Sequence, residues 1–371
     1  MIFCNSCVLP NTRPNLVLNK SGICNACLEV ENKKKINWKE RKKLLKNIID
    51  HSKKKSKGYD CIIPVSGGKD STWQVLKILK LGLNPLAITW KTPARTKIGQ
   101  ENLNNLIKLG VDHIDYQVNP KVESKFMLET FKKKGSTAIP MHLALFNIPI
   151  NLAVKFEIPL IVWGENSAQE YGGDTKSVND FVLSKNWFEK YGVTNGTKAE
   201  NWISKNINKK NLTPYLNNNW NLMKKNKIMS IFLGHFIKWD TKITYEMSKK
   251  YGFKERKEGP KVGYYNYADI DCDFISIHHW LKWYKFGFNR IMDNLSVEIR
   301  NKRITRDKAI KIIKKAGDQT PHEDIIKFCK FVNIDTKLFF KIAETHRNRN
   351  IWKKTDRKWI LKDFIVNDYF K

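Results

Sequence analysis

The 371-residue chain predicts an α/β fold, a parallel sheet flanked by helices, with a small Cys-rich module before it and a mostly helical region after it. Three observations carry this reading. From residue 59 to residue 234, short apolar runs alternate with amphipathic segments, an order that lays helices over the faces of a parallel sheet. A Gly-rich turn, Ser66-Gly67-Gly68, stands between the first such run and a helical pattern. Two tight cysteine pairs, Cys4/Cys7 and Cys24/Cys27, sit near the start.

The elements follow in order. Residues 1–31 are the Cys-rich module. Residues 32–58 are rich in lysine, with Trp38, Leu44, Leu45, Ile48 and Ile49 at helical spacing, so they read as a basic helical linker. Residues 59–65 suit a buried parallel strand. A helix over 69–81 is expected from Trp73, Leu76 and Leu79 three apart, with Val75 and Ile78 beside them. Further strands are expected at 86–90, 113–118, 160–163 and 228–233, the last two closing at Gly164 and Gly234. Helices are expected at 101–109, stopped by Gly110, at 122–134, and at 142–157 with a bend near Pro149. Residues 175–227, rich in Asn and Trp, read as an insertion within a main domain of 59–255. The region 256–371 is mostly helical in pattern. There Thr305 is a fitting N-cap for a helix through Ala309, Ile310, Ile313 and Ala316, and Gly317 a fitting stop. In open parallel sheets ligands bind beyond the carboxyl ends of the strands, where loops 66–71 and 164–174 fall.

Composition narrows the class. A hydrophobic share of 41% and an aromatic share of 12% supply a sizeable core, which argues against disorder. The net charge of +32 has two readings: AT-rich codon usage with scattered, solvated lysines, or a polyanionic partner. The first residues lack the pattern of a secretory signal, and no run is long and apolar enough for a membrane span, so a cytoplasmic protein is expected. Seven cysteines, four in pairs and three single, suit a reducing compartment and one metal site rather than a disulfide framework.

Four segments carry chemistry. In Ser66-Gly67-Gly68-Lys69-Asp70-Ser71, two glycines let successive N–H groups face one point at a helix start, which makes an anion cradle. Ser66 and Ser71 add hydroxyls, Lys69 a cation, and Asp70 a carboxylate that complements the helix dipole and lies well for Mg²⁺. No Gly-Lys-[Ser/Thr] ending is present, so this is not a Walker A loop. Cys4-x2-Cys7 and Cys24-x2-Cys27 fit tetrahedral Zn²⁺ with four thiolates, a closed site that serves stability or docking, with an iron–sulfur cluster or redox pairs as the alternatives. After the fourth strand, Gly164-Glu165-Asn166 and Glu170 reach the same mouth as the phosphate loop, where carboxylates bind substrate or manage protons. The run Lys285-Phe286-Gly287-Phe288-Asn289-Arg290, with Arg300 and Arg306 beyond it, interleaves cations with aromatics. His278 and His279 read more readily as packed than as metal ligands, and the tryptophans of 187–239 more readily as core than as a sugar platform.

The S-G-G-x-D-S segment resembles the signature of the PP-loop ATP pyrophosphatases, whose fold is the adenine nucleotide alpha-hydrolase-like sheet. Combined with G-E-N, K-F-G-F-x-R, E-I-R, I-T-R and the paired cysteines, the chain resembles the N-acetyl sugar amidotransferases of surface-polysaccharide biosynthesis. The similarity runs from Cys4 to about Asp318, and it departs at Asn289, where a small residue is usual. The resemblance implies an N-terminal zinc ribbon and an enzyme that splits ATP to AMP and pyrophosphate. It implies that the acetamido oxygen of an N-acetylated, nucleotide-linked sugar is adenylated, and that ammonia displaces AMP to leave an acetamidino sugar. Ser66, Gly67, Gly68, Lys69, Asp70, Ser71 and Gly164 are then the ATP-binding set. Asp70, Lys69, Glu165, Lys285 and Arg300 are the catalytic set, and Glu170, Arg290 and Arg306 bind substrate. No glutaminase elbow surrounds Cys61, Cys272 or Cys329, so a separate glutaminase subunit, with a barrel-shaped partner, is expected to supply ammonia. The competing expectation is a tRNA thiolation or modification enzyme, which the charge would suit. No cysteine pair stands at the phosphate-loop mouth to serve it, so nucleic acid is not the expected partner. A nucleotide sensor without turnover is a further alternative, against which Asp70, Ser71 and Glu165 stand intact.

Overall fold

In a computed structural model, residues 1–216, 219–356 and 358–369 are described. Residues 217–218 of the inserted segment and the last two residues of the C-terminal region lie outside them. Five parallel strands form the central sheet: β1 (Cys61–Pro64), β2 (Pro85–Trp90), β3 (Asp112–Tyr116), β4 (Leu160–Trp163) and β5 (Met229–Phe232). Their order is β3-β2-β1-β4-β5. The chain reverses its direction of travel across the sheet between β1 and β4, so the loops after these two strands open side by side.

Alternation along the strands separates two cores. Ile62, Leu86, Ile88, Ile161 and Trp163 face one side, under α5 (Pro120–Lys134) and α6 (Ile139–Lys155). Cys61, Ile63, Ala87, Leu160, Val162 and Ile231 face the other, under α2 (Trp38–Lys55), α3 (Lys69–Lys80) and α4 (Lys97–Ile107). Both faces are covered over β1, β2, β4 and β5, which is why those strands read as continuous apolar runs, while the edge strand β3 mixes exposed and half-buried residues. The inserted segment packs Trp187, Trp202 and Tyr215 into the first core, as core packing rather than a sugar platform.

Several boundaries differ from the sequence pattern. α4 starts four residues early because Thr96 accepts a hydrogen bond from the Gly99 N–H and caps it. α6 starts at Ile139, with Pro140 in its first turn, where a missing N–H costs nothing. It runs through Pro149. The basic stretch holds two helices, α1 (Asn25–Lys34) and α2, separated where the Asn37 side chain accepts from the Glu40 N–H. α1 therefore begins inside the second cysteine pair. The helix Arg306–Ala316 has the expected Thr305 cap and stops at Gly317, whose φ is 63°. The C-terminal region also holds an antiparallel pair, Trp352–Lys354 with Trp359–Leu361, that its Lys-rich sequence does not announce. No described helix is long and apolar enough to cross a membrane.

Candidate active site

The loop between β1 and α3 is shaped by its glycines. Gly67 has φ 83°, and a Cβ there would lie 2.5 Å from the Leu103 backbone nitrogen. Only glycine fits both the dihedral and the space. Ser71 Oγ donates to the Gly68 carbonyl at 3.0 Å, and Ser66 Oγ accepts from the Gly68 N–H at 3.3 Å. The α3 N-terminus has no side-chain cap, so its first amides are turned to the cavity as an anion cradle. Gly164 is less constrained: a Cβ there would meet only Gln74 Oε1 at 3.5 Å, an ordinary contact. Its carbonyl accepts from the Gly234 N–H and ties the end of β4 to that of β5.

Asp70 is held from three sides. One carboxylate oxygen pairs with Lys69 Nζ. The other accepts from Trp239 Nε1 at 3.1 Å and Thr244 Oγ1 at 2.9 Å. Trp239 and Thr244 come from the chain after β5, and Ser248 Oγ donates to the Lys69 carbonyl at 2.7 Å. No local motif marks these partners.

A cavity of about 220 Å³ opens at this loop. Asp70, Glu165, Asp269 and Asp271 line it against two cations, Lys69 and Arg290. Tyr171, Trp239, Tyr265 and Tyr267 supply ring surface. Burial, reinforced by Asp70, pushes the Glu165 carboxyl up to about 7. Burial likewise lifts Asp271 to about 6. Asp269 behaves oppositely: burial would raise it, but Arg290 holds it well below the usual carboxylate range. Arg290 Nε donates to Asp269 at 2.7 Å. Among the described residues the only metal-competent cluster is the four-cysteine one, so no ready-made Mg²⁺ cage exists here. An acid-rich pocket beside a phosphate cradle suits Mg²⁺ that arrives on a nucleotide and takes one or two carboxylates.

Tyr171, Asp269 and Arg290 also line a second cavity of about 460 Å³. Five cations line it, Arg13, Lys190, Lys282, Lys285 and Arg290, against three carboxylates, Glu189, Asp269 and Asp293. Arg13 and Lys282 share Asp293, at 2.8 and 3.9 Å. Lys285 Nζ donates to the Lys134 carbonyl at 3.4 Å and lies 5.4 Å from the centre of the Phe286 ring. Burial pushes both Lys282 and Lys285 down to about 8. His278 and His279 are buried here, and burial lowers both below the usual imidazole range. They are packed, neutral rings, as expected.

A third cavity, of about 330 Å³, meets the first at Glu165 and Trp239 and is lined by Glu170, Lys33 and Arg300. The expected site residues thus divide. Ser66, Gly68, Lys69 and Asp70 of the phosphate loop converge with Glu165 and Arg290 on the first cavity, whereas Gly67, Ser71 and Gly164 shape its wall without lining it; Lys285 opens on the second, and Glu170 and Arg300 open on the third. Arg300 donates to the Glu170 carbonyl at 2.7 Å. Arg306 lines none of the three, because its guanidinium is bonded to the carbonyls of Cys7 at 3.1 Å and Cys4 at 3.4 Å. Its position binds the cysteine module to the C-terminal helices. Asn289 has φ −129°, extended backbone that requires no glycine, so the departure there leaves the turn intact.

All four cysteines of the paired motifs are buried, and their sulfurs lie within 4.8 Å of one another. Cys7 and Cys24 sulfurs are 3.8 Å apart, and those of Cys4 and Cys27 are 4.0 Å apart. A regular tetrahedron of about 2.3 Å Zn–S bonds has edges of about 3.8 Å, so the donor set fits zinc.

Residues 261–365 match the family described as LPS biosynthesis protein WbpG-like, C-terminal domain. That span supplies Tyr265, Tyr267, Asp269 and Arg290 to the first cavity and Lys282 and Lys285 to the second. An uncharacterized protein of Methanocaldococcus jannaschii is 32% identical over 141 residues, which cover 36% of this chain and 48% of that protein. The chain therefore spans about half the length of this curated relative. Among solved structures, a predicted subunit of tRNA methyltransferase from Methanocaldococcus jannaschii is 16% identical over 51% of this chain and 73% of its own, with a TM-score of 0.28. NMN synthetase from Francisella tularensis is 16% identical over 52% of this chain and 96% of its own, with a TM-score of 0.27.

Proposed function

We propose that this chain, a WbpG-like protein by its C-terminal region, is an ATP-dependent amidotransferase acting on an N-acetylated, nucleotide-linked sugar for surface polysaccharide. The observation that carries the reading is the pair of cavities meeting at Tyr171, Asp269 and Arg290. One is acid-rich and built on a phosphate loop. The other sets Arg13, Lys282, Lys285 and Arg290, all largely withdrawn from solvent, against Asp269 and Asp293, an excess of two positive charges that a diphosphate-bearing acceptor would neutralise; Lys190 and Glu189 at its rim are exposed and paired elsewhere.

The chemistry follows from the weakness of an amide as an electrophile. The acetamido oxygen attacks the α-phosphorus of ATP, and pyrophosphate leaves. Ammonia then attacks the acetamido carbon, the C–O bond breaks, and AMP departs with that oxygen. An amidine remains. The loop amides and Lys69 offset charge on the departing pyrophosphate. Mg²⁺, held by Asp70 with the phosphates, would add Lewis-acid stabilisation. Arg290 stands at the junction, where it can hold a phosphate of either substrate. Glu165, with its carboxyl raised to about 7, is suited to take a proton from ammonium near neutral pH. A separate glutaminase subunit, with a barrel-shaped partner, is the proposed source of ammonia.

The test is incubation with ATP, Mg²⁺, ammonium and a panel of nucleotide-linked N-acetyl sugars, read by mass spectrometry. AMP, pyrophosphate and a sugar with NH in place of O are expected, and none of them with Asp70→Asn. AMP formed only on addition of tRNA would replace this reading with tRNA modification.

A further inference from the structure

The loop after β4 carries Glu165 and Glu170; Asn166 caps its short helix and accepts from Trp187 Nε1, Arg300 donates to the Glu170 carbonyl, and the rest of its anchoring comes from the cysteine module. Its short helix, Ser167–Tyr171, is followed by Gly172 and Gly173, and its backbone leans on the cysteine module. Arg13 Nη1 donates to the Tyr171 carbonyl at 3.1 Å. Asn25 Nδ2 donates to the Gly173 carbonyl at 3.1 Å, and Lys33 Nζ pairs with the Glu170 carboxylate at 2.5 Å. A Cβ on Gly172, whose φ is 101°, would lie 2.7 Å from Asn25 Oδ1, so the glycine permits this close approach.

These three side chains are placed by the cysteine pairs. Asn25 directly follows Cys24, and Lys33 lies on α1, which grows out of the second pair with Cys24 as its N-cap. Arg13 lies on the short connection between the two pairs. The module in turn sits on the C-terminal helices through Arg306 and through Leu9, Leu16, Ile291 and Leu295. A segment this small cannot fix its own shape by apolar burial and depends on a staple.

We propose that the four-cysteine module is a positioning clamp for the active-site loop: metal bound by Cys4, Cys7, Cys24 and Cys27 fixes Arg13, Asn25 and Lys33, and these fix the loop that presents Glu165 and Glu170. The clamp's geometry is independent of the reaction class. Its test therefore reads the loop, so it stands or falls apart from the amidotransferase reading.

The experiment is amide hydrogen exchange on the full chain, as purified and after removal of the metal with a chelator, with metal content measured in both. One zinc per chain is expected. Removal is expected to raise exchange in residues 164–174 by roughly tenfold or more while β1 and β2 keep their protection. Because a module this small depends on its metal for its shape, Lys33→Met and Arg13→Ala are measured with the metal retained. Each is expected to raise exchange in the same loop by a smaller factor, and Lys33→Arg to restore protection. Loop protection unchanged in both zinc-loaded variants, or no metal bound by the purified chain, would overturn the proposal.

Discussion

The phosphate-loop cavity and its neighbour share Tyr171, Asp269 and Arg290, yet their linings carry opposite charge. Four carboxylates face two cations in the first, and five cations face three carboxylates in the second. Buried charge of one sign is costly unless something answers it. On the proposed function, a metal-bearing nucleotide would answer the first imbalance and an anionic acceptor the second. Asp269 serves both by holding Arg290 at the boundary, and the resulting pair keeps the guanidinium charged despite its burial.

The largest expected effect breaks the acid side. Asp70→Asn removes the carboxylate that Lys69, Trp239 and Thr244 orient, and should lower kcat for AMP formation by roughly 10²–10³. On the cation side, Lys282→Met or Lys285→Met should raise KM for the sugar by roughly 10- to 100-fold, the loss of a charge-assisted hydrogen bond, and leave KM for ATP unchanged. If both KM values rose together, the division of labour between the cavities would be wrong.

The two cavities should also impose opposite pH slopes on stability. The Glu165 carboxyl rises from 4.5 to about 7 on folding, so the native state holds its proton more tightly and stability falls as pH climbs through that window. Lys282 drops from 10.5 to about 8, so the native state releases its proton first and stability rises with pH between those values. Thermal melts across pH, with Glu165→Gln flattening the lower slope and Lys282→Met the upper, measure each term. The rate should show a matching limb: kcat rises through about 7 in the wild type, and that limb is lost in Glu165→Gln.

The smallest effect concerns backbone. Gly67→Ala places a Cβ against Leu103 at a positive φ and should cost about 1–3 kcal/mol in a denaturant titration. Gly164→Ala meets only Gln74 at 3.5 Å and should cost less.

The sequence disclosed what is contiguous. The sheet is legible because its strands are buried on both faces and its loops are punctuated by glycine, and the phosphate loop because six adjacent residues form it. The cysteine set is legible from its spacing. What stayed hidden is assembled from distant segments. Trp239 and Thr244 lie 169 and 174 residues from Asp70. Lys282 and Asp269 show themselves only when the C-terminal helices fold over the sheet. Arg306 misled for the same reason: its motif is local, but the carbonyls it binds belong to residues about 300 positions earlier. The start of α4 was missed because its cap, Thr96, lies five residues before the point where the apolar pattern becomes clear.

The account turns on which oxygen leaves. A nucleotide-linked N-acetyl sugar labelled with ¹⁸O in its acetamido oxygen, incubated with the protein, ATP, Mg²⁺ and ammonium, decides it. The expected result is one ¹⁸O in the AMP phosphate, none in pyrophosphate, and none in the amidine product. Unlabelled AMP with the ¹⁸O still in the sugar, or ADP and phosphate as products, would contradict it.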